Sequence, residues 1–211
     1  MSTARESIDA SIREFLNALS SAEAAHGAVS ASAVAGGLGT SLLLMVAALP
    51  MTRSDSAQDR AELASASAAL SNLQEQLLET VETETVVKIF AARKLPQGSA
   101  KERTEREAAI QFALRAAADV PLEVIRLCAA GLQQAQVVAK RCSRAAASDV
   151  ELGIALLRAA FSGARANLEK RLTSLTDVPY TTSIVDEMAR LSDEAMRAAS
   201  VAETAVRTLP S

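Results

Sequence analysis

Aromatic side chains make up only 2% of the 211 residues, with no Trp, one Tyr and four Phe, and the chain carries 8 Gly, 5 Pro, two Cys and a single His. So few aromatics and turn-formers argue against an all-β sandwich or barrel. The two cysteines, Cys128 and Cys142, are too far apart for a CxxC and have no second pair or histidine cluster beside them. A zinc site or a disulfide framework is therefore not expected, and the cysteine usage fits a reducing, cytoplasmic compartment. Charge of one sign is also missing. Lys and Arg number 22 against 25 Asp and Glu, for a net charge of −3, which gives no basic field for a phosphate backbone. Nucleic acid is not an expected partner. What is abundant is apolar and small: 49% of residues are hydrophobic, mostly Ala, Leu, Val and Ile, the composition of packed helices. The length suits a single helical domain over residues 1–211.

The one long uncharged stretch runs from Gly27 to Thr52 and contains Leu42-Leu43-Leu44-Met45-Val46. A membrane span has to be weighed against a core helix. Ser30, Ser32, Thr40, Ser41 and several glycines dilute its hydrophobicity, and the preceding Arg5, Glu6, Asp9, Arg13 and Glu14 read as an amphipathic helix, not a basic leader. The reading adopted is a helix over about 29–49, buried on all sides at the centre of a bundle and ended by Pro50, with no membrane partner.

Helical periodicity runs through the rest of the chain. Ile8, Ile12, Phe15, Leu16 and Leu19 predict a first helix, about Ser7–Ser20, with one buried stripe. Leu63, Leu70, Leu73, Leu77, Leu78 and Val81 predict a long third helix that continues to Ile89 and Phe90 and stops at Leu95-Pro96-Gln97-Gly98. The run from Ala100 to Arg144 contains Pro121, which is expected to bend it near Asp119 or split it. Ser148-Asp149-Val150-Glu151 has the spacing of a capping box opening a fifth helix to about Leu175. Asp177-Val178-Pro179-Tyr180 reads as a turn, with Ser183 capping a last helix towards Leu209. The expected fold is all-α, an antiparallel bundle of five to six helices. Alanine-rich faces such as Ala116-Ala117-Ala118 and Ala145-Ala146-Ala147 suit tight internal packing or a homodimer seam.

Spacing alone supplies no nucleophile–base pair, P-loop, dinucleotide fingerprint or metal motif. His26 stands with Gly27 just ahead of the uncharged helix, where free backbone N–H groups favour an anion, although a solvated loop histidine explains it equally. Short strings in order carry more. They are Phe15-Leu16 and Leu19-Ser20-Ser21; Gly27 and Ser30 through Gly39, with Met45-Val46; Leu95-Pro96; Arg106 with Ala109-Ile110-Gln111; Val120-Pro121-Leu122; Cys128; Ser148-Asp149; and Asn167. In this order and spacing the chain resembles the folate-dependent cyclodeaminase and methenyltetrahydrofolate cyclohydrolase family, from about Phe15 to about Asp177.

The resemblance implies an all-helical homodimer with a tetrahydrofolate derivative as substrate, no metal, and a folate site near a subunit interface, lined by the loop before the second helix. The chain departs from the family in several places. The family's Pro-Gly-Gly-Gly-Ser is here His26-Gly27-Ala28-Val29-Ser30, so that Ala28 and Val29 are expected to restrict the loop and fill space near a ligand. Ala48 and Pro50 replace Asn and Thr, and Arg53, Ser54 and Asp55 stand where lysines follow. Glu82 replaces Asp, Val86 an aromatic, Cys142-Ser143 a Gly-Asn pair, and Arg171 a second asparagine.

Carried onto this chain, the resemblance makes Glu82 and Asp149 candidates for moving protons, and a changed substrate adds His26 as a newly placed acid or base. Gly27, Ser30, Arg53, Arg106, Gln111 and Asn167 become the candidates for binding the substrate. Each has a plainer reading. Ser148 and Asp149 could only open a helix, Arg106 and Gln111 could form an exposed face, and Glu82 could be a solvated acid. The function implied is a one-carbon enzyme of cyclodeaminase or cyclohydrolase type. The alternatives are a non-catalytic helical dimer that has lost the folate pocket and a family member with a changed substrate.

Overall fold

The computed structural model describes residues 2–20, 27–50, 52, 56–80, 89 and 91–209, with the backbone alone for 2–10. Its helices are α1 (Ser2–Ser20), α2 (Ala28–Ala48), α3 (Ala57–Glu79), α4 (Ala100–Arg141), α5 (Ala147–Leu172) and α6 (Val178–Arg207), with a 3₁₀ turn at Arg144–Ala146. No strand occurs among the described residues.

Helix starts follow side-chain capping, though not always where the spacing predicts. Ser56 and Ser99 form capping boxes at the heads of α3 and α4. The Asp59 N–H donates to Ser56 Oγ at 3.0 Å, and the Ser99 N–H donates to Glu102 Oε2 at 2.7 Å. The box expected at Ser148 does not form. The 3₁₀ turn leads straight into α5 with Ala146 as an N-cap that offers no side chain, so Ser148 and Asp149 already lie within the helix. Nor is Ser183 the cap of the last helix. Asp177 takes that role, its Oδ1 accepting from the Tyr180 N–H at 3.0 Å, and the predicted turn becomes the first turn of α6, with Pro179 where no N–H is needed. Ser183 sits inside α6 and donates to the Tyr180 carbonyl.

Pro121 does not split α4. The helix runs unbroken for 42 residues because buried Ala117, Leu122, Ile125 and Cys128 anchor it on both sides of a defect costing about 3 kcal/mol. The third helix is described to Glu79 and closed by Thr80, whose hydroxyl donates to the Leu77 carbonyl. Its expected continuation through Val81 lies outside the described residues.

Close contacts fix the helix directions. Gly36 approaches Cys128, and Gly131 approaches Thr40, so α2 and α4 run parallel. Ser32 meets Gly163 and Gly39 meets Gly153, so α5 runs against α2. Gly36 against Leu77 with Ser41 against Gln74 sets α3 antiparallel to α2. Tyr180 bonds Asp119 and Glu187 bonds Arg126, which aligns α6 with α4. Helices α2, α4 and α6 thus point one way and α3 and α5 the other. The tightest crossing is at Gly39 and Gly153, where a Cβ on Gly39 would lie 2.8 Å from the Gly153 carbonyl oxygen. Around it Leu43, Leu70, Leu77, Leu122, Ile125, Leu132, Ile154 and Leu157 are all but fully buried. Each such side chain contributes roughly 1.5–3 kcal/mol.

Two apolar faces are not covered as the sequence predicts. Helix α2 packs against α5, α3 and α4, yet Leu38 and Met45 are exposed, so it is buried on one side and not on all. Helix α1 carries the predicted stripe, but Ile12 and Leu16 are 56% and 57% exposed, because none of the other described helices packs extensively against it.

Candidate functional site

The start of α2 and the end of α5 form one end of the bundle. Gly27 is the N-cap of α2, exposed, in extended conformation and without a side-chain cap bond. A Cβ added to it would meet nothing within 4 Å. Among the described residues nothing caps the first N–H groups of the helix, which carry the positive end of its dipole. Val29 turns into the core cluster, so its side chain does not fill the space ahead of the helix as the altered loop suggests, and Ala28 is exposed. Ser30 is 8% exposed in the first turn.

Beside this turn Gly163 brings α5 close, since a Cβ there would sit 2.5 Å from Ser32 Oγ, which itself donates to the Ala28 carbonyl at 2.8 Å. Asn167 and Arg171 follow at one-turn intervals on the same face. The Arg171 Nε donates to Asn167 Oδ1 at 2.7 Å, and both side chains are half-buried. Burial lowers the Arg171 pKa, and no carboxylate lies within ion-pair reach of it among the described residues. Sequence reasoning registered Arg171 only as a departure from the family. The signal was its four-residue spacing from Asn167.

The other candidates are held elsewhere. Gln111 of α4 bridges to the α5–α6 connection. Its amide nitrogen donates to Glu107 at 3.1 Å and to the Ser174 carbonyl at 3.4 Å, and its oxygen accepts from the Thr176 N–H at 3.1 Å. Arg106 donates through Nε and Nη2 to the Arg93 carbonyl, at 3.2 and 3.1 Å. Both are tied to main chain and are not brought to Asn167. Asp149 lies in the first turn of α5, at the far end of the bundle from Asn167. His26, Arg53 and Glu82 lie outside the described residues.

Next to Gln111 is a groove of about 370 Å³, lined by Ala108, Phe112, Arg115, Thr176 and Asp177. Phe112 is 76% exposed there, a position that sequence patterning did not single out. Arg115 pairs with Asp177 and lies 5.0 Å from the Tyr180 ring centroid. Burial raises the Tyr180 pKa, and its hydroxyl, which donates to Asp119 at 2.6 Å, is held neutral. Cys128 is not a nucleophile, because full burial pushes its thiol up to about 12. Among the described residues, no cluster of three or more His, Cys, Asp or Glu could hold a metal.

Comparison with known proteins gives this geometry a context. Residues 11–190 match the family model described as formiminotransferase-cyclodeaminase. The methenyltetrahydrofolate cyclohydrolase of Methylorubrum extorquens is 27% identical over 186 residues, which is 87% of this chain and 89% of that protein. The formimidoyltransferase-cyclodeaminase of Gallus gallus is 27% identical over 86% of this chain, which spans 34% of that longer protein. The fold matches the crystal structure of formiminotetrahydrofolate cyclodeaminase from Thermotoga maritima. The TM-score is 0.81 at 20% identity, over 92% of this chain and 94% of the other.

Proposed function

Because the chain belongs to the formiminotransferase-cyclodeaminase family, we propose that it catalyses a one-carbon reaction at a C–N bond of a tetrahydrofolate, by cyclodeamination or cyclohydrolysis. In the first reaction the folate's second nitrogen attacks the formimino carbon and ammonia leaves. In the second, water adds to the methenyl carbon and opens the bridge. Both pass through a tetrahedral carbon and need a group that moves a proton, for which Glu82, Asp149 and His26 are the candidates, with Asn167 among the groups that bind the substrate. The methenyl carbon is already electrophilic, so modest general catalysis suffices.

The observation that carries the reading is that the family match spans α2 and α5 entire, the two helices that place Gly27, Ser30, Asn167 and Asp149. The working unit is taken to be a homodimer. Leu38 and Met45 of α2 and Leu152 of α5 are exposed apolar residues on neighbouring helices, and Ile12 and Leu16 of α1 are exposed as well, which supports a second copy as the partner. Two copies opposed across this face about a two-fold axis perpendicular to the helices would bring Asp149 of one towards the Asn167 end of the other. Both cysteines are free and buried, which supports a reducing, cytoplasmic location.

A second reading is favoured by a specific observation: Arg106 and Gln111 are engaged by main chain, as a non-catalytic descendant of the fold would have them. Turnover separates the two readings. The purified protein is incubated with methenyltetrahydrofolate and, separately, with formiminotetrahydrofolate, following loss of the methenyl chromophore and release of ammonia. Saturable turnover of either, reduced at least tenfold by Asn167→Ala, is the expected result. Absence of both supports the non-catalytic dimer.

A further inference from the structure

We propose that Arg171, positioned by Asn167, is a carboxylate-recognition residue whose free guanidinium edge binds a carboxylate carried by the ligand, at a point remote from the reacting carbon. The proposal rests on the folate reading for the identity of that ligand, and on the structure for everything else.

The first observation is how Arg171 is held. Its Nε donates to Asn167 Oδ1 at 2.7 Å one turn back on α5, which fixes the guanidinium plane and leaves the two Nη groups without a hydrogen-bond partner among the described residues. The second is what it lacks. Arg126, Arg141, Arg158, Arg165, Arg190 and Arg207 each meet a carboxylate, whereas half-buried Arg171 meets none among the described residues. A guanidinium withdrawn from water without a counter-charge is costly, and the downward shift of its pKa on burial reflects that cost. The third is where it lies. Gly163, Asn167 and Arg171 share a face, and Gly163 abuts Ser32 in the first turns of α2, so Arg171 sits just past the uncapped start of that helix. The positive end of the α2 dipole adds to the Arg171 charge there, offset in part by the negative C-terminal end of α5 itself.

The fork geometry selects a planar anion of single charge. A carboxylate takes two parallel N–H bonds from Nη1 and Nη2 and neutralises one guanidinium, whereas a phosphate dianion would leave one charge over. On a tetrahydrofolate the carboxylates are those of the glutamyl tail, far from the one-carbon unit. Arg171 therefore governs affinity and chain-end specificity, not the chemical step.

Two measurements test this. In the first, affinities and steady-state constants are compared for a tetrahydrofolate ligand with its glutamyl tail and for the same ligand truncated to the pteroate. Wild type, Arg171→Ala and Arg171→Lys are assayed with both. The expected result is that Arg171→Ala weakens the glutamylated ligand roughly ten- to hundredfold, as KM and not kcat, leaves the truncated ligand unchanged, and is only partly rescued by Lys. Equal loss for both ligands, or loss for neither, overturns the proposal. In the second, glutarate is titrated into the wild-type protein while the Arg171 Nε–H resonance, assigned by its loss in Arg171→Lys, is followed by NMR, with glutaramide as the neutral control. A saturable shift with glutarate alone is expected, and its absence overturns the proposal whether or not folates bind. If wild type binds neither folate yet Arg171 responds to glutarate, the folate reading fails and the carboxylate site stands. If Arg171→Ala converts dimer to monomer with ligand affinity unchanged, the arginine pairs with the other subunit and the proposal fails.

Discussion

Asp149 and Asn167 lie on the same face of α5 but five helical turns apart, at opposite ends of the bundle. At 1.5 Å per residue their separation is roughly 27 Å, so no single C–N bond touches both within one chain. If both serve one substrate, the site is assembled from two copies. If only one does, Asn167 is the better placed, beside the open head of α2 and next to Arg171.

The crossing of α2 and α5 should be the most sensitive point of the fold. Gly39→Ala puts a methyl group 2.8 Å from the Gly153 carbonyl and 3.0 Å from Leu157, forcing the helices apart. Overpacking of this kind costs about 1–3 kcal/mol, a fall in Tm of roughly 2–4 °C for each kcal/mol in a domain of this size. Gly27→Ala, where nothing lies within 4 Å, should lower Tm far less in the same melting experiment.

The architecture was legible because it depends on periodicity. The apolar spacing of α2 to α6 and the breaks at Pro50 and Pro96-Gln97-Gly98 dictate antiparallel helices whatever the detail. The caps were less legible. Ser148 and Ser183 have the right residue type, but caps depend on backbone conformation, and a 3₁₀ turn in one case and Asp177 in the other took the role. Gln111 and Arg106 show the same limit for the site. Their type and spacing matched a ligand-binding pattern, but their partners are the Ser174, Thr176 and Arg93 main chain, tens of residues away or across a loop. Such partners are set by tertiary structure.

Gln111 should therefore act on the α5–α6 connection. Gln111→Ala is expected to accelerate amide hydrogen exchange at Thr176, whose N–H loses its acceptor, and to lower stability by about 1 kcal/mol. Protection of Thr176 unchanged in the variant would contradict the bridging role.

Acid should selectively loosen the head of α3. The Ser56 hydroxyl, then Arg141, holds the Asp59 carboxyl below its ordinary value of 3.8. A carboxyl depressed in the folded state contributes stability that is complete above the unfolded value and is lost as pH falls through the folded one. Ser56→Ala should thus lower Tm by a few degrees at neutral pH, with the gap to wild type narrowing as pH drops below 3.8. A gap that is constant down to the acid limb would show that Asp59 is not coupled to the cap.

Whether a folate site is shared between two copies of the chain is decided by subunit mixing. Asp149→Asn and Asn167→Ala are purified separately, each with turnover greatly reduced, then co-refolded in equal amounts. If each site takes Asp149 from one subunit and Asn167 from the other, mixed dimers regain one intact site and statistical mixing restores about a quarter of the wild-type rate. A mixture no more active than its separate components would contradict the shared site and return the chemistry to one end of a single chain.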